Sequence, residues 1–172
     1  MQARSRPVVL LVAEAVTLAH FARVVSLANA LDASSYEVVV ASDARYADLE
    51  APFGVAFYPI RSIPSDQFER ALARGTPLYD VATLTAYVED DLALIKKVKP
   101  DLIVGDFRLS LAVSAPVAGI PYAAVVNAYW SPYADIVYPV PDLPMTRVLG
   151  LSLAQRLLMW QGLSPSPCTR DR

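Results

Sequence analysis

Five short apolar segments rich in β-branched residues recur along the chain, separated by segments with helical patterns. The first, PVVLLVA at residues 7–13, is an unbroken apolar run, which is typical of a strand covered on both faces. The other four are YEVVVAS, VAFYPI, DLIVGD and PYAAVVNA. Parallel neighbours need a crossover connection, usually a helix. The alternation therefore predicts an α/β fold, a Rossmann-like open parallel sheet with helices on both faces.

The intervening segments carry helical patterns. After Thr17, which we expect to be an N-cap, apolar residues recur at helical spacing: Leu18, Phe21, Val25 and Ala28, with Val24, Leu27 and Leu31 widening the stripe. Further helices are predicted at residues 43–54, 65–75, 78–99 and 110–119. The apolar stripe of the longest one follows Leu78, Val81, Leu84, Val88, Leu92 and Ile95. Lysines in its last turn suit the negative end of the helix dipole.

The composition changes after Asn127. Residues 128–144 are rich in aromatic residues and proline, which predicts a long ordered loop. Residues 148–163 have the pattern of an apolar helix, and residues 164–172 have the composition of a disordered tail. We therefore expect one domain over residues 1–163. The apolar helix predicts an exposed patch through which the chain self-associates.

Composition and missing motifs exclude several kinds of function. The net charge is −2 without a basic run, so we expect no nucleic-acid partner. One histidine and one cysteine exclude ordinary zinc sites. Glu14 and Val16 occupy the first loop in place of a G-x-G-x-x-G motif, which excludes a dinucleotide bound there. Proline and glycine divide the longest uncharged stretch, residues 109–134, so we predict no transmembrane segment. The single cysteine, Cys168, cannot form an intramolecular disulfide and fits a reducing compartment, so we predict a cytoplasmic protein.

The single histidine, His20, follows the first strand by a short loop, and Asp106 ends the fourth. In doubly wound sheets, ligands bind beyond the carboxyl ends of the strands, where the strand order reverses. His20 and Asp106 should therefore face each other there. A histidine backed by a carboxylate is a general-base pair. The alternative is that His20 helps to cap its helix and Asp106 N-caps the next one.

Two stretches carry a family resemblance: residues 20–60, from HFARVVSLANAL to VAFYPI, and KPDLIVGDFRLSLAVSAPVAGIPYAAVVNA at residues 99–128. They resemble the N-terminal half of the GT-B glycosyltransferases, in the UDP-glycosyltransferase-like family of bacterial macrolide and plant natural-product enzymes. The resemblance extends over about residues 7–135. The matching positions are His20, Leu27, Ala28, Leu31, Glu37, Val38, Pro100, Asp101, Asp106, Gly119, Ile120 and Pro121.

The resemblance implies that His20 is the catalytic base, which deprotonates an acceptor hydroxyl for attack on the anomeric carbon of a nucleotide sugar, and that Asp106 supports it. It implies no metal and no cofactor beyond the nucleotide-sugar co-substrate. It also implies a small hydroxylated acceptor, for which the candidate contacts are Phe107, Asn127, Tyr129, Trp130 and Tyr133. Ala19 and Arg23 stand where the family pattern has glycine and proline.

The family's donor-side signatures, a His-Gly-Gly loop and a late Asp-Gln pair, are not in this sequence. The resemblance therefore implies a truncated transferase, or one that a separate donor-binding chain completes. We expect the chain by itself to be inactive, because sugar transfer needs donor and acceptor held together. Two alternatives remain: a non-catalytic small-molecule binding module and a regulatory flavodoxin-like α/β domain.

Overall fold

The computed structural model describes residues 6–49, 54–128 and 153. In chain order the elements are β1 (Val8–Ala13), α1 (Leu18–Ala30), β2 (Glu37–Ser42), β3 (Ala56–Pro59), α2 (Ser65–Arg74), α3 (Val81–Val98), β4 (Leu102–Asp106), α4 (Leu111–Ala118) and β5 (Tyr122–Val125). The chain divides into two compact units, residues 1–126 and 127–172. All these elements belong to the first unit, and residues 127, 128 and 153 are the described part of the second.

The strands form one parallel sheet in the order β3-β2-β1-β4-β5, which confirms the predicted fold class. Strand order reverses between β1 and β4, so a crevice opens there at the carboxyl ends. At the amino ends of β1 and β4, the side chain of Asp101 links the two strands. Its Oδ2 accepts the backbone N–H of Val8 at 2.7 Å, while its own N–H donates to the Val8 carbonyl at 2.8 Å.

The central strand β1 is buried on both faces, as its unbroken apolar run predicted. Its even-numbered residues, Val8, Leu10 and Val12, pack in one core with residues of α3 and α4. Its odd-numbered residues, Val9, Leu11 and Ala13, pack in a second core with Phe21, Val24 and Ala28 of α1. Because successive side chains of a strand point to opposite faces, helices cover both faces of the sheet.

Helix α4 packs closely on β4 at Gly105. A Cβ atom added at this glycine would lie 2.5 Å from Cδ1 of Leu111, the first residue of α4, and 3.1 Å from the ring of Tyr122. Real side chains do not approach so closely. A side chain beside Asp106, the last residue of the strand, would therefore require the Leu111 side chain to move.

The buried faces of two helices differ from the predicted stripes. In α1 the buried residues are Phe21, Val24 and Ala28, and Leu18 is 54% exposed. In α3 the buried residues are Tyr87, Asp91, Leu94, Ile95 and Val98. Val81, placed in the stripe by its apolar side chain, is 81% exposed. The predicted stripe differs from the buried face of α3 because Asp91, a charged residue, is buried there.

The segment between β2 and β3 is less helical than predicted. Within the described part of residues 43–54 there is one 3-10 turn, Ala44–Tyr46. Asp43 favours a turn here, because its carboxylate accepts the backbone N–H and the guanidinium of Arg45. The predicted helix at residues 148–163 lies outside the described residues except for Leu153, which is helical, and the tail at residues 164–172 lies wholly outside them. No helix in the described ranges has the length and apolarity needed to cross a bilayer.

Candidate active site

His20 is the third residue of α1, directly beyond the carboxyl end of β1. The loop from Glu14 to Thr17 joins the two elements, and the backbone N–H of Glu14 donates to the Asp106 carbonyl at 3.0 Å. Thr17 occupies the N-cap position with an extended backbone, although its side chain makes no capping hydrogen bond. His20 therefore lies at the N-terminal end of a helix and at the crevice where strand order reverses.

The structure brings His20 and Asp106 together. Nδ1 of His20 lies 2.7 Å from Oδ1 of Asp106, and their side chains are 12% and 1% exposed. Burial acts to raise the pKa of Asp106, but hydrogen bonds from Arg23 and His20 outweigh it and hold that pKa below its ordinary value. Asp106 is therefore a carboxylate at neutral pH. The alternative that it N-caps the next helix is wrong, because Ser110 occupies the N-cap position of α4.

Phe107 fixes the plane of the imidazole. Its ring stacks on His20 with centroids 4.9 Å apart and planes at 13°, and it meets the ring of Phe68 edge-on at 5.9 Å. The backbone of Phe107 has φ of 58°, a left-handed conformation that costs a non-glycine residue about 1 kcal/mol. This backbone turn directs the residue after β4 toward α1, so that its ring reaches His20.

Arg23 also reaches the His20–Asp106 pair, which the sequence analysis did not foresee. Its Nε donates to Oδ2 of Asp106 at 2.5 Å, and its Nη2 donates to Oδ1 at 2.8 Å. Nη2 also lies 2.7 Å from Nδ1 of His20. Arg23 is one helical turn beyond His20, so the two side chains project from the same face of α1. The sequence signal was the departure from the family's proline at this position.

A buried ion network supports the loops around the site, and it too was missed. Arg108 is 1% exposed. Its Nη1 donates to Oε2 of Glu14 at 3.0 Å and to the Arg61 carbonyl at 2.6 Å, and its Nε donates to Oδ1 of Asp91 at 3.1 Å. The guanidinium also lies 3.7 Å from the centroid of the Tyr87 ring. One side chain therefore ties the loop after β1, the segment after β3 and helix α3 to the loop after β4.

The carboxylates of this network have further donors. Asp91 accepts the hydroxyls of Ser110 and Ser114, at the start of α4. Glu14 accepts the hydroxyls of Ser62 and Tyr87. Burial raises the pKa of Glu14 above its ordinary value, and Arg108 offsets part of that effect. Because Arg108 pairs with Glu14 and Asp91, neither carboxylate is an open acidic group.

The other predicted acceptor contacts are placed only in part. Asn127 follows β5 by two residues, is half-buried and begins the second compact unit. Tyr129, Trp130 and Tyr133 lie outside the described residues. Within the described residues, no three histidine, cysteine, aspartate or glutamate side chains are grouped as a metal ion would require. The contribution of these four residues to acceptor binding stays a prediction.

Known proteins resemble this chain over most of its length. No protein-family model matches the chain. Over 149 residues, 87% of this chain, the sequence is 50% identical to a PGL/p-HBAD biosynthesis rhamnosyltransferase of Mycobacterium bovis, of which it covers 33%. Over 143 residues, 83% of the chain, it is 46% identical to an inactive PGL/p-HBAD biosynthesis glycosyltransferase of the same species, of which it covers 39%. The chain thus spans about a third of the length of these curated relatives.

A solved structure agrees on the fold. The Streptomyces glycosyltransferase SsfS6 superposes on 69% of this chain and 39% of its own, with a TM-score of 0.51 and 22% sequence identity. The chain matches the N-terminal half of a GT-B glycosyltransferase. His20 and Asp106, to which the sequence resemblance assigned the roles of base and supporting carboxylate, lie 2.7 Å apart, and these roles stay a prediction.

Proposed function

We propose that this GT-B half is the acceptor side of a sugar transferase and that His20 is its general base. The observation that carries the proposal is the 2.7 Å contact between Nδ1 of His20 and Oδ1 of Asp106 at the carboxyl ends of β1 and β4. A carboxylate at this distance holds the imidazole in one orientation and stabilises the imidazolium formed when a proton is taken. The proposal draws further support from relatives that are named as glycosyltransferases.

In the proposed reaction, the acceptor hydroxyl oxygen forms a bond to the anomeric carbon of a nucleotide sugar. The bond between that carbon and the phosphate oxygen of the nucleotide breaks, and the hydroxyl proton passes to Nε2 of His20. During this transfer the proton on Nδ1 is donated in a hydrogen bond to Asp106, which compensates the charge that develops on the ring. Phe107 keeps the ring from rotating, because its own ring lies nearly parallel to the imidazole at 4.9 Å.

The substrate classes follow from the relatives and from the residues near the base. The relative at 50% identity is named a rhamnosyltransferase, so we propose rhamnose as the transferred sugar. Phe107 and Phe68 provide an apolar surface next to His20, which suits a small and largely apolar acceptor with one reactive hydroxyl. We further propose that four residues contact the acceptor: Asn127, Tyr129, Trp130 and Tyr133. We propose that a separate chain can supply the donor site. We also propose that the reaction takes place in the cytoplasm.

A second candidate function is acceptor binding without chemistry. The observation that favours it is the curated relative at 46% identity that is named inactive. The two functions differ in what they require of His20. A binding module tolerates loss of the imidazole, whereas a transferase does not.

The test is a chimera in which this chain replaces the aligned part of the Mycobacterium bovis rhamnosyltransferase. Product formation is measured with a nucleotide-linked rhamnose donor and hydroxylated aromatic acceptors. His20→Ala is expected to lower kcat by about 10²–10⁴-fold, since a positioned general base contributes that much. Acceptor affinity is expected to change little.

The control is Arg70→Met. Arg70 is an exposed residue of α2 that pairs with Asp66, so its replacement should leave kcat and acceptor affinity unchanged. If the His20→Ala chimera transfers sugar at the unmodified rate, His20 is not the base. If no chimera transfers sugar but acceptors still bind, the binding module is the better description.

A further inference from the structure

Arg23 occupies both oxygens of the Asp106 carboxylate. Its Nε and Nη2 form a side-on fork with Oδ2 and Oδ1 at 2.5 and 2.8 Å. Such bidentate pairs are the stronger kind of hydrogen-bonded ion pair and have a fixed geometry. His20 must therefore share Oδ1 with a guanidinium that is already bound there. Without the guanidinium, the imidazole would not have to share Oδ1 of the carboxylate.

Three atoms meet at the shared oxygen. Nδ1 of His20 lies 2.7 Å from Oδ1 of Asp106, Nη2 of Arg23 lies 2.8 Å from the same oxygen, and Nη2 lies 2.7 Å from Nδ1. Nη2 always carries its protons, because arginine stays protonated in proteins. If Nδ1 were also protonated, two N–H donors would stand closer than an ordinary N–H···O hydrogen bond. If Nδ1 is unprotonated, Nδ1 and Oδ1 are two acceptors 2.7 Å apart, and an N–H of Nη2 lies between them and bridges both.

The position of the imidazole proton decides whether His20 can act as a base. A neutral imidazole holds one proton, so an acceptor nitrogen at Nδ1 places the proton on Nε2. Nε2 is then a donor and cannot take a proton from an acceptor hydroxyl. Deprotonation by Nε2 requires the opposite tautomer, with Nδ1–H donating to Asp106.

We propose that Arg23 is a positioning residue that holds His20 in the Nε2-protonated tautomer, so that the His20–Asp106 pair becomes a base when the guanidinium leaves Nδ1. This inference rests on the proposed role of His20 as the base. The arginine side chain is 41% exposed, whereas that of Asp106 is 1% exposed, so the arginine is the partner that has room to move. A substrate group that draws Arg23 away would switch the tautomer as it binds.

The test uses the full chain labelled with ¹⁵N-histidine. Because the chain has a single histidine, its two ring nitrogens give one pair of signals that needs no assignment. A two-bond ¹H–¹⁵N correlation spectrum, recorded at about pH 9, well above the ordinary imidazole pKa, reports which nitrogen carries the proton. The unmodified chain is expected to have its proton mainly on Nε2.

Arg23→Met removes the guanidinium but keeps a long side chain with good helix propensity. It is expected to raise the ratio of the Nδ1–H to the Nε2–H tautomer by about tenfold or more, the population change that one charge-assisted hydrogen bond produces. Arg70→Met, the matched exposed control, is expected to leave the ratio unchanged. In the chimera, Arg23→Met is expected to raise kcat.

Two results would overturn the inference: a proton mainly on Nδ1 in the unmodified chain, or an unchanged ratio in Arg23→Met. The first needs no variant, so the test does not depend on the folding of Arg23→Met. The tautomer is measured without any reaction, so its outcome is separate from that of the proposed function. If His20→Ala loses transfer but Arg23→Met leaves the tautomer ratio unchanged, this inference alone is rejected. If His20→Ala keeps transfer but Arg23→Met changes the tautomer ratio, His20 is rejected as the base.

Discussion

Replacing Arg108 with methionine tests whether the buried ion network stabilises the fold around the site. Methionine keeps most of the side-chain length and can still pack against the ring of Tyr87. It removes the one guanidinium that neutralises Glu14 and Asp91, which are 1% and 2% exposed. Both carboxylates then remain buried with hydroxyl donors only.

The size of the effect follows from these contacts. Removing one partner of a buried ion pair costs about 3–5 kcal/mol, because the remaining charge is buried without compensation. Here two carboxylates lose the same partner, so we expect the upper part of that range. The free energy of unfolding of a domain is about 5–15 kcal/mol. Since urea slopes of small proteins are about 1–3 kcal/mol per M, the unfolding midpoint should fall by roughly 2 M.

The assay is urea unfolding followed by circular dichroism at pH 7, with Arg70→Met as the exposed control that should leave the midpoint unchanged. Adding Glu14→Gln and Asp91→Asn to Arg108→Met should recover part of the loss, since the uncompensated charges are then gone. A midpoint in Arg108→Met that matches that of Arg70→Met would refute the reasoning. So would a triple variant less stable than the single one.

Two further predictions concern the neighbourhood of the site. Gly105→Ala should lower the free energy of unfolding by about 1–3 kcal/mol, measured by urea unfolding, because its Cβ would lie 2.5 Å from Cδ1 of Leu111 and that side chain must move. Unchanged stability would show that the packing at Gly105 is loose. Glu14→Gln tests the raised pKa of Glu14 through pH dependence. A raised carboxyl pKa stabilises the fold below its unfolded value of 4.5, and that contribution is lost as pH rises through the folded pKa. The free energy of unfolding of the unmodified chain minus that of Glu14→Gln should therefore fall as pH rises from 4.5 to the folded pKa of Glu14, and it should level off above that pKa. A difference that rises with pH would contradict a raised pKa of Glu14.

The sheet and the His20–Asp106 pair could be predicted from the sequence for a clear physical reason. A strand covered on both faces leaves an unbroken apolar run, and the carboxyl ends of parallel strands meet at one edge of the sheet. The first rule locates the central strand β1, the alternation with helical segments locates the others, and the second rule brings residues 20 and 106 together. Neither rule depends on the details of any side chain.

The remaining parts of the site depend on side chains that reach across the fold. Glu14 and Arg108 are 94 residues apart, and neither has a local pattern that indicates its partner. Asp91 looks like a solvent-facing residue of α3 until Arg108 is placed opposite it. Arg23 was noticed as a departure from the family pattern, but helix spacing alone does not reveal that its guanidinium reaches Asp106.

The central position of β1 has a consequence for the way this chain folds. β1 is synthesised first, and one of its two neighbours, β4, ends at Asp106. Val8 at the start of β1 and Asp101 at the start of β4 are 93 residues apart. At ribosomal rates of about 5–20 residues per second, β1 waits roughly 5–20 s before that neighbour emerges. During this interval the most apolar strand of the sheet has an unpaired edge, so the nascent chain is most exposed to misassembly before residue 106 leaves the ribosome.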